Sequence, residues 1–167
     1  MRQRKVDMNV RRNEFNGEDS PLARAALERH PEMWPQIHSS VPRGWDAEVA
    51  GALEAIAELA DETGVTIRVA QIKSKFAELR VYLDVDERSA GAWEAVNETP
   101  DHTRLRSSSA PGSVRERATA IVDAASKRCE SRCERCGAPG VLLNNGGWLR
   151  VACTAHARTD SRWRTSE

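Results

Sequence analysis

The chain has 167 residues, with 25 basic and 25 acidic groups, a formal net charge of zero and a pI of about 6.9. That balance excludes a globally charge-driven affinity for nucleic acid, and no apolar run approaches the ~20 residues of a membrane-spanning helix. Hydrophobic residues at 40% and charged residues at 30% suit one modest domain plus a small module and exclude two large domains.

The opening M-R-Q-R-K-V-D is charged but no apolar run follows it, so no secretory signal is read and a cytoplasmic setting is expected. Residues 1–19 are polar and aperiodic and read as a flexible basic arm carrying Arg2, Arg4, Lys5, Arg11 and Arg12. Ser20-Pro21 is a helix start, with Ser20 as cap and proline in the first turn. Leu22 to Arg29 forms a short helix that His30-Pro31 stops. Met33, Trp34, Ile37 and Val41 are an apolar lead-in expected to pack on the next element, and His30 and His38 read as surface or helix-end histidines. Gly44-Trp45-Asp46 opens the best helix, with Asp46 as its cap and Gly64 as its end. Trp45, Val49, Leu53, Ile56, Leu59 and Ala60 fall at spacings of three and four, a single apolar stripe. Glu48, Glu54, Glu58, Asp61 and Glu62 sit mostly opposite.

Thr66 to Lys73 and Leu79 to Val85 alternate with β-branched residues and predict an antiparallel hairpin. One face packs on the helix; the other shows Lys73 or Lys75, Arg80 and Tyr82 to solvent. Arg88 to Val96 is read as a short helix around Trp93, and a Pro-, Ser- and Gly-rich stretch near 97–112 as a flexible loop. Ser113-Val114-Arg115-Glu116 is a capping box, and its helix places Val114, Ala118, Ile121, Val122 and Ala125 on one side. That helix runs to about Lys127 or Cys129. The tail after His156 extends a helix briefly, with Trp163 free to dock.

The sharpest chemistry lies at Cys133, Cys136, Cys153 and His156: a C-x2-C pair, sixteen residues, then a C-x2-H pair. Gly137 allows a tight turn beneath the first pair. Val141 to Leu143, the turn formers Asn144 to Gly147 and Trp148 to Ala152 read as a hairpin, which returns Cys153 to the first two cysteines. A helical turn begun at Cys153 then presents His156. Four N and S donors define one closed, structural Zn2+ site. A disulfide framework would need an oxidising compartment, and a redox C-x2-C opens a long helix rather than preceding a hairpin. Cys129 reads as a small apolar residue ending a helix, the alternatives being a substitute ligand or an oxidisable thiol.

The fold class expected is therefore α+β: a small helix-plus-antiparallel-hairpin domain over 20–112, then a helix with a treble-clef-like or zinc-ribbon-like module over 113–167. Charge along it is uneven. Residues 13–63 hold eleven acidic groups against three basic, and residues 113–167 ten basic against six acidic. Either these parts face solvent and each other, or a basic metal-binding face meets an acidic partner.

Three segments together resemble a known group. They are Gly44-Trp45, V-A-Q-I-K-S-K-F-A-E-L-R-V-Y at 69–82, and C-E-R-C-G-A-P-G…G-G-W-L-R-V-A-C-T-A-H at 133–156. The combination, over roughly residues 43–158, is similar to small phage and bacterial proteins that pair a GW helix and a Q-I-K-x-K-F-G-x-L-R-x-Y hairpin with a C-terminal zinc-ribbon-like motif. The resemblance implies a phage or prophage setting and no reaction. Two departures stand out: Ala77 replaces the usual turn glycine, and the insert at about 86–112 is long. No phosphate loop, G-x-S-x-G, H-E-x-x-H or dispersed His/Asp set is present, so no enzyme is expected. The function expected is a zinc-stabilised protein-binding or adaptor protein that acts on a host protein, with a nucleic-acid-binding module as the alternative.

Overall fold

The computed structural model describes residues 15–16, 20–87, 93–99, 102–107, 112–158 and 164–165. The class is α+β. Helices α1 (Pro21–Arg29), α2 (Asp46–Thr63), α3 (Val114–Cys129) and the single turn α4 (Thr154–Ala157) accompany four small sheets. Strands β1 (Phe15–Asn16) and β2 (Ser39–Ser40) pair in parallel. The others are antiparallel: β3 (Thr66–Lys75) with β4 (Glu78–Asp86), β5 (Trp93–Thr99) with β6 (His102–Ser107), and β7 (Val141–Asn145) between β8 (Trp148–Ala152) and β9 (Arg164–Thr165). Among the described residues no helix is long and apolar enough to cross a membrane.

Helix α2 is the centre. Its stripe of Val49, Leu53, Ile56 and Leu59 is buried, as is Trp45 just before it, and Gly64 at φ 65° closes it. Each fully buried Leu or Ile contributes about 1.5–3 kcal/mol. Ala23, Ala26 and Leu27 of α1, Ile67, Val69 and Ile72 of β3 and Leu79 and Val85 of β4 close the core around it. Helix α3 begins at the expected capping box: the Ser113 hydroxyl accepts from the Glu116 N–H at 3.2 Å, and the Glu116 carboxylate accepts from the Ser113 N–H at 2.9 Å.

The expected division at 112/113 does not separate two cores. Val114, Ala118, Val122, Ala125 and Cys129 of α3, and Val151 of β8, belong to the same buried cluster as α2. Among the described residues, Cys133, Leu143, Ala152 and Cys153 form a second, smaller one. The uneven charge is also resolved internally in part. Glu48 of α2 pairs with Arg128 and, at 2.8 Å, with Arg132, and Glu62 pairs with Arg117 at 2.8 Å.

Several expectations are corrected. Ser20 does not cap α1 with its side chain; its hydroxyl donates to the Val41 carbonyl at 3.0 Å. Asp46 caps α1 and not its own helix: its carboxylate accepts from the N–H groups of Leu22 at 2.9 Å and Ala23 at 2.8 Å. The starts of the two helices meet, so one buried carboxylate satisfies donors that α1 leaves open. Phe15, expected in a flexible arm, is buried beside β2, while the basic cluster of that stretch lies outside the described residues. Ile37 is exposed rather than packed. Its N–H, with that of Gln36, is bonded to the β3 edge at Ala70 and Val69, which holds this segment as a strap along the strand. The helix expected at 88–96 is instead strand β5 from Trp93 onward, and β6 occupies part of the loop expected near 97–112. Trp93, Val96, Thr99 and Thr103 are strand formers, and their preference outweighs a helical reading that rested on one tryptophan. Residues 88–92 and 108–111, and Trp163, lie outside the described residues.

The β3–β4 hairpin has the predicted facing, with a bulge at Val69/Gln71. Its two-residue turn places Phe76 at φ 57° and Ala77 at φ 62°, the left-handed pair of a type I′ turn. The departure from glycine therefore leaves strain at Ala77, and Ala77→Gly should stabilise the chain by about 1 kcal/mol in chemical denaturation. A destabilised variant would contradict this account of the turn.

Candidate metal centre

After α3 the chain doubles back on itself. The Cys133 N–H donates to the Ala138 carbonyl and the Gly137 N–H to the Cys133 carbonyl, both at 2.8 Å, with Gly137 at φ 74°. This knuckle turns the Cys133 and Cys136 sulfurs to one side. Gly146 and Gly147, at φ 58° and 91°, make the tight turn of the β7–β8 hairpin, and Asn144 Oδ1 accepts from the Gly147 N–H at 2.9 Å. The hairpin delivers Cys153 as the residue before α4, and His156 follows in that single turn.

The four expected residues converge. One ligand atom from each of Cys133, Cys136, Cys153 and His156 lies within 4.8 Å of all the others, a set that could hold a metal ion. His156 Nδ1 is 3.3 Å from both Cys133 Sγ and Cys153 Sγ, and Cys136 Sγ is 3.7 Å from Cys153 Sγ. A tetrahedral ion with metal–sulfur bonds near 2.3 Å and metal–nitrogen bonds near 2.0–2.1 Å sets its ligands roughly 3.5–3.8 Å apart. The donor set and the spacing both fit.

Electrostatics point the same way. Burial works against the Cys133 thiolate, but the N–H groups of Cys153, Arg135 and Cys136 and the His156 ring outweigh it and lower its pKa to about 6. At Cys136 the Ala138 N–H favours the thiolate, yet burial and the neighbouring Cys133 and Cys153 sulfurs prevail and raise it. Sulfurs this close resist shared negative charge unless a cation sits among them.

The knuckle is seated on the start of α2. The Gly44 N–H donates to the Glu134 carbonyl at 2.8 Å, and Trp45 Nε1 donates to the Arg132 carbonyl at 2.9 Å. Glu134, between the first two ligands, clamps β8: its N–H donates to the Val151 carbonyl and its carboxylate accepts from the Val151 N–H, both at 3.0 Å. Burial raises the Glu134 pKa against the pull of that N–H and of Arg150. The sequence marks Gly44-Trp45 only as a helix opening; nothing in it shows that a knuckle 87 residues away rests there. Glu134 carries no sequence signal as a clamp.

The other candidates lie elsewhere. His30 Nε2 meets Glu54 at 3.1 Å at the end of α1, and exposed His38 lends its carbonyl to Gln71. Cys129 is buried in the main core, and burial, then Glu48, pushes its thiol up to about 12. It should therefore resist iodoacetamide at pH 8 until denaturant opens the core; native-state labelling at Cys129 would contradict that placement.

No family model, curated protein or solved structure matches the chain.

Proposed function

We propose that this chain is a zinc-stabilised binding or adaptor protein whose metal is structural. Three sulfurs and one imidazole nitrogen suit zinc among the common ions. With four protein ligands no coordination position is left for a reacting water. A knuckle, a hairpin and a helical turn that starts just after Cys153 and carries His156 is a treble-clef-like plan. A phage or prophage setting, implied by the resemblance above, suits a protein that acts by docking on a host component.

The observation that carries this reading is Trp148. It sits at the tip of the β7–β8 hairpin and is 77% exposed. Across a cleft of about 440 Å3 stands Phe76, 56% exposed, at the tip of the β3–β4 hairpin. Large apolar side chains gathered on a surface mark an interaction site. The test compares tagged wild type with Trp148→Ala in extract of the natural host. A partner held by wild type and released by the variant, at equal metal content and equal circular dichroism, is expected. Identical capture by both proteins would overturn the proposal.

A further inference from the structure

We infer that the outer face of the β3–β4 hairpin, continued across the cleft to Trp148, binds single-stranded nucleic acid. The inference rests on the binding reading above and names the partner for it.

Strand pairing sets Lys73 directly opposite Arg80, and Gln71 opposite Tyr82, on the outward face. Like charges at directly opposed positions destabilise a sheet. Here they find only local relief. Lys73 Nζ lies 4.8 Å from the Tyr82 ring centroid and 2.8 Å from Gln71 Oε1, and Arg80 meets Glu78 at 3.1 Å. Lys75 Nζ stands 5.1 Å from the Phe76 ring centroid. Towards the turn, three cations thus share the face with one acid, Glu78. A polyanion laid along this edge would relieve the repulsion. Further along, Arg68 and Asp84 face each other.

The exposed rings decide which anion. Tyr82 is 43% exposed, Phe76 56% and Trp148 77%. Cations interleaved with exposed aromatic rings are what a single strand requires: phosphates take the charge and unpaired bases stack on the rings. A duplex hides those base faces and engages none of the rings. An acidic protein segment would use the cations but leave the rings without a matching planar partner. Every base offers a π-face, so little sequence preference is expected.

The test uses the full metal-loaded chain and fluorescein-labelled 20-mers of oligo-dT and oligo-U, with a duplex of the same length, read by anisotropy. Single strands should bind at 50 mM salt, at least about tenfold more tightly than duplex. Neutralising about three phosphates predicts a loss of roughly 15–20-fold between 50 and 200 mM salt. Trp148→Ala and Tyr82→Ala should each weaken binding about tenfold with unchanged melting temperatures, and Lys75→Gln should flatten the salt dependence. Absence of binding at 50 mM, equal affinity for duplex, or full affinity in Trp148→Ala would each overturn the inference. A partner captured from nuclease-treated extract by wild type but not by Trp148→Ala, with no oligonucleotide bound, would remove the nucleic acid and leave the binding reading standing. Loss of both signals removes both.

Discussion

Stripping the proposed zinc should lower the melting temperature of the entire chain by at least about 10 °C, in one transition. A structural zinc site supplies about 10–16 kcal/mol of apparent binding free energy in small peptides, comparable with the ~5–15 kcal/mol that holds a whole domain together. About 1 kcal/mol moves the midpoint of a chain this size by ~2–4 °C, so losing about half of that energy suffices. The loss should spread because the knuckle is tied to the core. Trp45 donates into it through Nε1, Gly44 through its N–H, and Val151 sits in the main buried cluster while bonded to Glu134. A sequence reading with a separate C-terminal module would leave the Trp45 helix and the β3–β4 hairpin folded after chelation. Circular dichroism against temperature, with chelator and after zinc is restored, separates the two. Persistence of most helicity to the original midpoint would sink the single-unit account, and Cys133→Ser should behave as the chelated wild type does.

Gly44→Ala should be nearly as damaging. A Cβ at Gly44 would stand 1.9 Å from the Cys133 carbonyl oxygen, 2.5 Å from the Gly137 nitrogen and 2.9 Å from the Cys136 nitrogen. All three are backbone atoms of the hydrogen-bonded knuckle, so no flexible side chain can swing aside. We expect a loss of about 3 kcal/mol or more, together with faster metal transfer to a competing chelator. Gly51, within α2 itself, provides the control. A Cβ there meets nothing within 4 Å, so Gly51→Ala should instead stabilise the protein by roughly 0.5–1 kcal/mol. If Gly44→Ala melts as wild type does and keeps its metal, the knuckle does not rest where the structure puts it.

What could be read from the sequence was what local spacing controls. The α2 stripe, the β3–β4 alternation, the Ser113–Glu116 capping box and the four converging ligands all follow from patterns within about twenty residues of chain. Apart from the propensity contest at β5, the misreadings share a different origin. Asp46 looks like a cap for its own helix, and only the meeting of two helix starts reveals that it serves α1. Phe15 stands alone in a polar stretch, so no periodicity announces its burial. The acidic α2 and basic α3 look like separate surfaces until Glu48 is seen beside Arg128 and Arg132. Gly44 is informative only once the atoms above it are known. Each is a contact between segments far apart in the chain, and composition and period are silent on such contacts.

The bond from Trp45 to Arg132 joins residues 87 positions apart, which sets an order of events during synthesis. On the ribosome, the first two helices and the β3–β4 hairpin emerge long before Cys133. Until then a nascent chain carries an indole donor and a glycine hollow with nothing to fill them. Capture of the proposed ion would accordingly be a late step, a latch closed only by polypeptides translated through His156. Products cut short before that point would keep the seat open and fall to cellular quality control.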